Sequence, residues 1–180
     1  MDRCCVKILN KIAPQGGFTL IEMMITVAVI AVVLGFAVPS FNDFFAKNRL
    51  KRAAEDVYGL ITKAKAETVT RNMNLVVTVD NSWCVGYASV ACDCTSSDCV
   101  VPVAGTDVQQ VVAGSAFDGV NMTSAGFNRT FNSVRGTTAA ATISLQSGGW
   151  ELDVVLSPQG RIRICAPATS TGTMGYEPCP

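Results

Sequence analysis

Three sets of residues in this sequence have types and spacings that could do chemistry. They are eight cysteines, a pair of arginines at 161 and 163, and one glutamate, Glu22, inside a long apolar run. The chain of 180 residues has no histidine, which removes imidazole acid–base catalysis and every His-containing metal site. Cys4 and Cys5 lie near the start; Cys84, Cys92, Cys94, Cys99, Cys165 and Cys179 lie beyond residue 80. Without imidazole partners the late six read as disulfides in an oxidising compartment. Cys92-Asp93-Cys94 is not a CxxC redox spacing, and a four-Cys zinc site wants two close pairs. One pair is expected outright. Cys165–Cys179 closes a loop of about 15 residues and would contribute about 3 kcal/mol by restricting the unfolded chain. Cys84, Cys92, Cys94 and Cys99 are left to pair among themselves, with Cys92 and Cys94 too close for an unstrained bridge to each other. No metal and no cofactor is expected. An enzyme is not expected either, because no nucleophile–base pair can be assembled and the thiols are oxidised.

The arginine pair sits in a closing hairpin. Leu152, Val154 and Leu156 alternate with Asp153 and Val155, and Ser157-Pro158-Gln159-Gly160 fits a type I turn with Pro second and Gly fourth. Arg161-Ile162-Arg163-Ile164 leaves that turn with period two, so Ile162 and Ile164 can face a core while both arginines share the opposite face. Guanidiniums so placed lie about 7 Å apart, close to the spacing of phosphates along a DNA strand. The plainer function of such a pair is a solvated face that discourages edge-to-edge strand pairing. The chain as a whole carries 14 Lys+Arg against 14 Asp+Glu, so any nucleic-acid binding must be local rather than a matter of bulk charge. The tail from Ala166 to Pro180 adds no cation and one acid, Glu177. Arg129 and Arg135, in loops, could add to such a patch, but the sequence leaves their placement open. Gly148-Gly149 makes no phosphate loop, and Trp83 and Trp150 fall in strand patterns that read as core.

These residues need elements to hold them. Hydrophobic residues make up 49% of the chain, charged ones 16%, and mean hydropathy is +0.33. The excess lies in Phe18 to Val38, 21 residues with a single charge at Glu22. As a helix this run spans about 30 Å, the thickness of a bilayer core. Arg3, Lys7 and Lys11 precede it against one acid, Asp2, which keeps that end cytoplasmic and sends the rest across the membrane. The punctuation Pro14-Gln15-Gly16-Gly17 comes before the run, whereas a secretory signal is cut after it. Pro39 follows without ending the helical pattern. Phe44, Leu50, Ala53, Ala54, Val57, Leu60, Ile61, Ala64 and Thr68 then recur at steps of three and four, an amphipathic stem reaching about Arg71. Strand patterns follow at 75–79, 83–87, 108–112, 119–122, 141–145, 150–156 and 161–165, with a Cys-rich loop at 91–98 and a Pro/Thr/Gly-rich tail. The fold class is α+β, a long N-terminal helix packed on an antiparallel β-sheet head. The divisions are a leader at 1–17, a helix at 18–71 with its transmembrane part at 18–38, a head at 72–165 and a disulfide-tied tail at 166–180.

Gly17-Phe18-Thr19-Leu20-Ile21-Glu22, behind a basic leader and at the head of the apolar run, resembles the processing site of type IV prepilins. The resemblance implies cleavage after Gly17 by prepilin peptidase and N-methylation of Phe18. It also implies that Glu22 meets the N-terminal amine of a neighbouring subunit during assembly, a pairing that offsets the cost of a carboxylate in lipid. Ser-Pro-x-Gly-Arg-x-Arg at 157–163, after an apolar strand, resembles the FimT/FimU type of minor pilin, a GspH-like family related to the H-type pseudopilin of type II secretion. The likeness is firm at 16–39 and 157–163 and loose over the rest of the mature chain. It implies a pilin-like fold and a minor type IV pilin at or near the pilus tip. The implied partners are major and minor pilins and the inner-membrane assembly machinery, and the implied address is the inner membrane, then the cell surface. By the same resemblance Gly160, Arg161 and Arg163 would bind the backbone of double-stranded DNA for uptake in natural transformation. An H-type pseudopilin of type II secretion, or a FimU-like priming pilin that binds no DNA, are the alternatives.

Overall fold

The computed structural model describes residues 17–96 and 98–180, with residues 36–40 described by their backbone alone. The leader, with Cys4 and Cys5, lies outside the described residues. One helix, α1 (Leu20–Thr70), runs on through Pro39, and the chain divides within it at Ser40/Phe41 into two units. In the first unit the helix is exposed on every side: Leu20, Met24, Val27, Ile30 and Val33 are all more than half accessible. Among the described residues no helix is long and apolar enough to cross a membrane. The segment expected to do so, 18–38, ends in residues whose side chains are not described.

The second unit begins with the stem. Leu50, Ala53, Ala54, Val57, Ile61 and Ala64 are fully buried, one stripe at steps of three and four, which is the face a 3.6-residue period presents to a core. Thr68 ends the stripe, its hydroxyl donating to the Ala64 carbonyl at 2.8 Å. Phe44, expected on this face, is instead 57% exposed and packs edge-on against Phe45. It lines a hollow with Lys47, Trp150 and Met174 rather than entering the core.

Two antiparallel four-stranded sheets meet the stem. The first is ordered β5 (Val111–Ala113), β2 (Cys84–Ala88), β1 (Leu75–Asp80), β7 (Phe127–Phe131). The second is ordered β10 (Ile162–Cys165), β9 (Trp150–Leu156), β8 (Ala141–Ser147), β6 (Asn121–Met122). A separate hairpin pairs β3 (Val100–Val103) with β4 (Thr106–Gln109). Leu75, Val77, Tyr87 and Phe131 of the first sheet share one core with the stem and with Ile143, Leu145, Leu152, Val154 and Leu156 of the second. Each pair of alternate residues faces the core because the strand period is two.

The apolar run expected as one strand at 108–112 is broken at Gln110. That side chain is buried, accepting from Lys63 Nζ at 2.8 Å and from the Tyr87 hydroxyl at 3.1 Å, as a buried amide must be paired. Its backbone is where pairing passes from β3 to β2, the N–H donating to the Cys99 carbonyl at 2.8 Å and the carbonyl accepting from Tyr87 N–H at 3.1 Å. Two strands, β3 and β7, were not expected. Phe127-Asn128-Arg129-Thr130-Phe131 alternates apolar with polar, but with only two large apolar residues it does not announce a strand. Register on β1, Leu75 opposite Phe131 and Val79 opposite Phe127, makes it one.

Six cysteines form three disulfides: Cys84–Cys94, Cys92–Cys99 and Cys165–Cys179. The first two interleave and form a small buried cluster with Ala88. The third ties the tail to the end of β10, where Ala166 exchanges backbone hydrogen bonds with Glu177 and Cys179.

Candidate functional site

The β9–β10 turn carries the arginines. Gly160 N–H donates to the Ser157 carbonyl at 2.8 Å and Ser157 N–H to the Arg161 carbonyl at 2.9 Å. With Gly160 at φ 72°, this is the pattern of a type I turn closed by a one-residue bulge. Arg161 therefore belongs to the turn, its own N–H capped by Ser157 Oγ at 3.0 Å, and β10 starts one residue later than the sequence suggests. Ile162 stands opposite Leu156, Ile164 opposite Val154, and Arg163 opposite Val155. Both isoleucines are partly buried against the core, while Arg161 and Arg163 are exposed. Ser157, Gln159, Arg161 and Arg163 line a hollow of about 270 Å³. Among the described residues neither guanidinium has a carboxylate within ion-pair distance.

The turn is held from behind. A β-carbon on Gly160 would lie 1.9 Å from the Gly136 carbonyl oxygen, so the two backbones touch. Lys65 of the stem donates from Nζ to the Gly160 carbonyl at 2.8 Å, and Thr138 N–H donates to the Pro158 carbonyl at 3.2 Å. Neither Lys65 nor Gly136 could have been found from local sequence. Each acts across many residues, and no motif joins the stem to the closing hairpin.

Arg129 and Arg135 differ. Arg129 is spent on its own neighbourhood, donating to the Ala140 carbonyl at 3.1 Å and the Asn128 carbonyl at 2.9 Å while lying over the Phe127 ring. Arg135 is exposed in the β7–β8 loop. Trp83 is stacked on Phe117 and donates from Nε1 to the Val120 carbonyl at 2.9 Å. Trp150 lies under Lys47 Nζ at 3.9 Å. Burial also pushes the Tyr176 phenol up to about 12, helped by its hydrogen bond to Glu55.

At the other end Phe18 is 81% exposed and Glu22 sits in the first turn of α1. Glu22 N–H donates to Thr19 Oγ1 at 3.2 Å. Thr19-x-x-Glu22 is the capping-box spacing, and an acid in a first turn also meets the positive end of the helix dipole.

The described residues thus form an α+β head preceded in sequence by a helix that starts at a Thr–Glu cap. The chain belongs to the family described as type II transport protein GspH, which it matches over residues 53–160, 108 of its 180 residues. This is a family of structural, non-enzymatic proteins. Residues 12–38 match the prokaryotic N-terminal methylation motif, which marks the protein as pilus-associated. Over 52 residues the chain is 42% identical to a fimbrial protein of Pseudomonas aeruginosa, covering 29% of this chain and 34% of that one. Over 43 residues it is 51% identical to a type IV major fimbrial protein FimA of Dichelobacter nodosus, 24% of this chain and 25% of that one. The chain thus spans about a third of the length of the one and a quarter of the other. Among solved structures it is similar to the type IV minor pilin FimU of Pseudomonas aeruginosa, at TM-score 0.46 and 19% identity, covering 67% of this chain and 91% of that one. It is also similar to the minor pseudopilin EpsH of the type 2 secretion system of Vibrio cholerae, at TM-score 0.47 and 12% identity, covering 66% and 97%.

Proposed function

We propose that the protein is a minor type IV pilin. In this reading prepilin peptidase cuts it after Gly17, Phe18 is methylated, and the apolar half of α1 anchors it in the inner membrane with the head outside. Assembly machinery then carries it into a fibre beside other pilins, where Glu22 meets the N-terminal amine of a neighbour. The methylation motif and the exposed apolar residues in the first half of α1 support this. We further propose that the head contacts double-stranded DNA through Arg161 and Arg163, with Gly160 shaping the turn. The observation that carries the DNA reading is the pair of exposed guanidiniums at the mouth of one hollow, free of carboxylate partners among the described residues. A guanidinium fork suits phosphate oxygens, so contact is with the backbone and carries no sequence information. Few phosphates are neutralised, so binding is weak and falls steeply with salt. Retardation of mixed-sequence DNA by the full chain in non-ionic detergent should be lost in Arg161→Gln/Arg163→Gln with the fold unchanged. If the double variant retards DNA as the parent does, the hairpin is only a solvated edge.

The family match favours a second reading, an H-type pseudopilin of type II secretion. Deleting the gene separates the two: loss of DNA uptake with secretion intact supports the pilin, and loss of protein secretion with uptake intact supports the pseudopilin. A priming pilin without DNA contact predicts loss of pili and no retardation by the parent chain.

A further inference from the structure

The hairpin turn and the β7–β8 loop are separate in sequence and in contact in space. We propose that Arg135 is a third phosphate-binding residue, and that the DNA surface is built from both segments. This inference rests on the DNA reading of Arg161 and Arg163.

Four observations carry it. First, the contact of Gly160 with the Gly136 carbonyl oxygen brings the neighbours of those glycines together. Summing standard bond lengths and two Cα–Cα steps across that contact limits the separation of the Arg135 and Arg161 Cα atoms to about 14 Å. Within that limit two long guanidinium side chains can reach phosphates of one strand. Second, the loop is fixed rather than trailing. Asn132 Oδ1 accepts from Val134 N–H at 3.0 Å and Arg135 N–H at 3.2 Å, Gly136 N–H donates to the Asn132 carbonyl at 2.8 Å, and Ser133 N–H donates to Asn74 Oδ1 at 2.9 Å. Third, residues 132–138 and 157–163 together hold three arginines and no acidic residue, and among the described residues no carboxylate pairs with Arg135. Fourth, two other cations are held by the protein's own backbone: Lys65 donates to the Gly160 carbonyl, and Arg129 to the Ala140 and Asn128 carbonyls. In a chain of net charge zero, an acid-free patch of this kind is a local source of positive potential.

The test is the salt dependence of binding. The full chain in non-ionic detergent is titrated into a fluorescent duplex of mixed sequence at several salt concentrations. Each phosphate contact contributes about 0.9 to the slope of log K against log salt. Arg135→Gln should lower that slope by about 0.9 and weaken binding several-fold at low salt, with an unchanged thermal midpoint. Arg135→Lys keeps a cation and should keep the slope, which a purely structural role for the loop would not. Arg129→Gln should leave the slope as it is. If Arg135→Gln binds with the parent's slope while Arg161→Gln/Arg163→Gln does not, this inference is overturned and the DNA reading of the pair stands. If the parent itself fails to bind at low salt, both are overturned.

Discussion

Gly160 touches Gly136 at a point where Gly160 has no room for a side chain. Gly160 has φ 72°, which L side chains rarely adopt, and its missing β-carbon would overlap the Gly136 carbonyl. In a binding motif a glycine is readily taken as a place where ligand approaches; here the approach comes from the protein's own backbone. Gly160→Ala should therefore cost about 1–3 kcal/mol of stability, seen as a lower urea midpoint, while Gln159→Ala on the exposed side of the same turn should leave the midpoint in place. Equal midpoints for the two would show that the contact is not maintained in solution. Asp153 offers a test of the opposite sign. Burial holds its carboxyl above the ordinary range, with a Ser144 hydrogen bond pulling it back and the Glu151 charge adding to the rise. A carboxyl raised in the folded state contributes stability that is fully present below the unfolded pKa and is lost as pH rises through the folded one. Asp153→Asn should then be more stable than the parent at neutral pH, and the gain should vanish below the carboxylate range. A variant less stable at neutral pH would mean that the Ser144 bond outweighs desolvation.

The elements were legible wherever a period ran long enough. The stem declared itself through steps of three and four from Leu50 to Ala64, and β9 through the alternation of Leu152, Val154 and Leu156, all of them buried. Short or polar strands did not. β7 is a strand because β1 needs a second partner, and the break at Gln110 falls where pairing passes from β3 to β2, with Lys63 and Tyr87 reaching it from other elements. The arginine pair was legible as a face, since alternation alone sets it; its support by Lys65 was not, because nothing local encodes a contact across 95 residues. Disulfides obey the same division. Cys165 and Cys179 lie 14 residues apart at the two ends of one tail, whereas the interleaved Cys84–Cys94 and Cys92–Cys99 pairs are chosen by how the loop folds over β2. Beyond the Ala166 bonds and Tyr176, the middle of the tail is tied to the β8–β9 hairpin, where Glu151 N–H donates to Ser170 Oγ at 3.1 Å and Thr171 N–H to the Gly149 carbonyl at 3.0 Å, and Met174 packs against the core. Replacing Cys165 and Cys179 by Ser should lower stability by about 3 kcal/mol and open the tail to proteolysis ahead of the rest of the head. Proteolysis of tail and core in step would show that the tail does not depend on this crosslink.

For the molecule as a whole, the exposed apolar helix is the feature that a single chain in water cannot explain. Leu20, Met24, Val27, Ile30 and Val33 face outward together, and a face of that kind requires lipid or other helices to cover it. Glu22 stands in the middle of this demand, and two roles compete for it. As the fourth member of Thr19-x-x-Glu22 it completes a cap, and near a helix N-terminus its charge stabilises by about 0.3–1 kcal/mol. As a carboxylate in an apolar surround it calls for a cation, and the amine of a neighbour's Phe18, freed by cleavage after Gly17, would supply one. Glu22→Gln separates the two, because glutamine serves a capping box as glutamate does but carries no charge. The membrane form of both parent and variant should show, by mass spectrometry, an N-terminus at methylated Phe18, since the cleavage site itself is untouched. Only the parent should then appear in sheared fibres. A Gln variant recovered in fibres at the parent's level would assign Glu22 to the cap and leave assembly without its charge pair. An unprocessed Met1 in the parent would remove the pilin reading at its root.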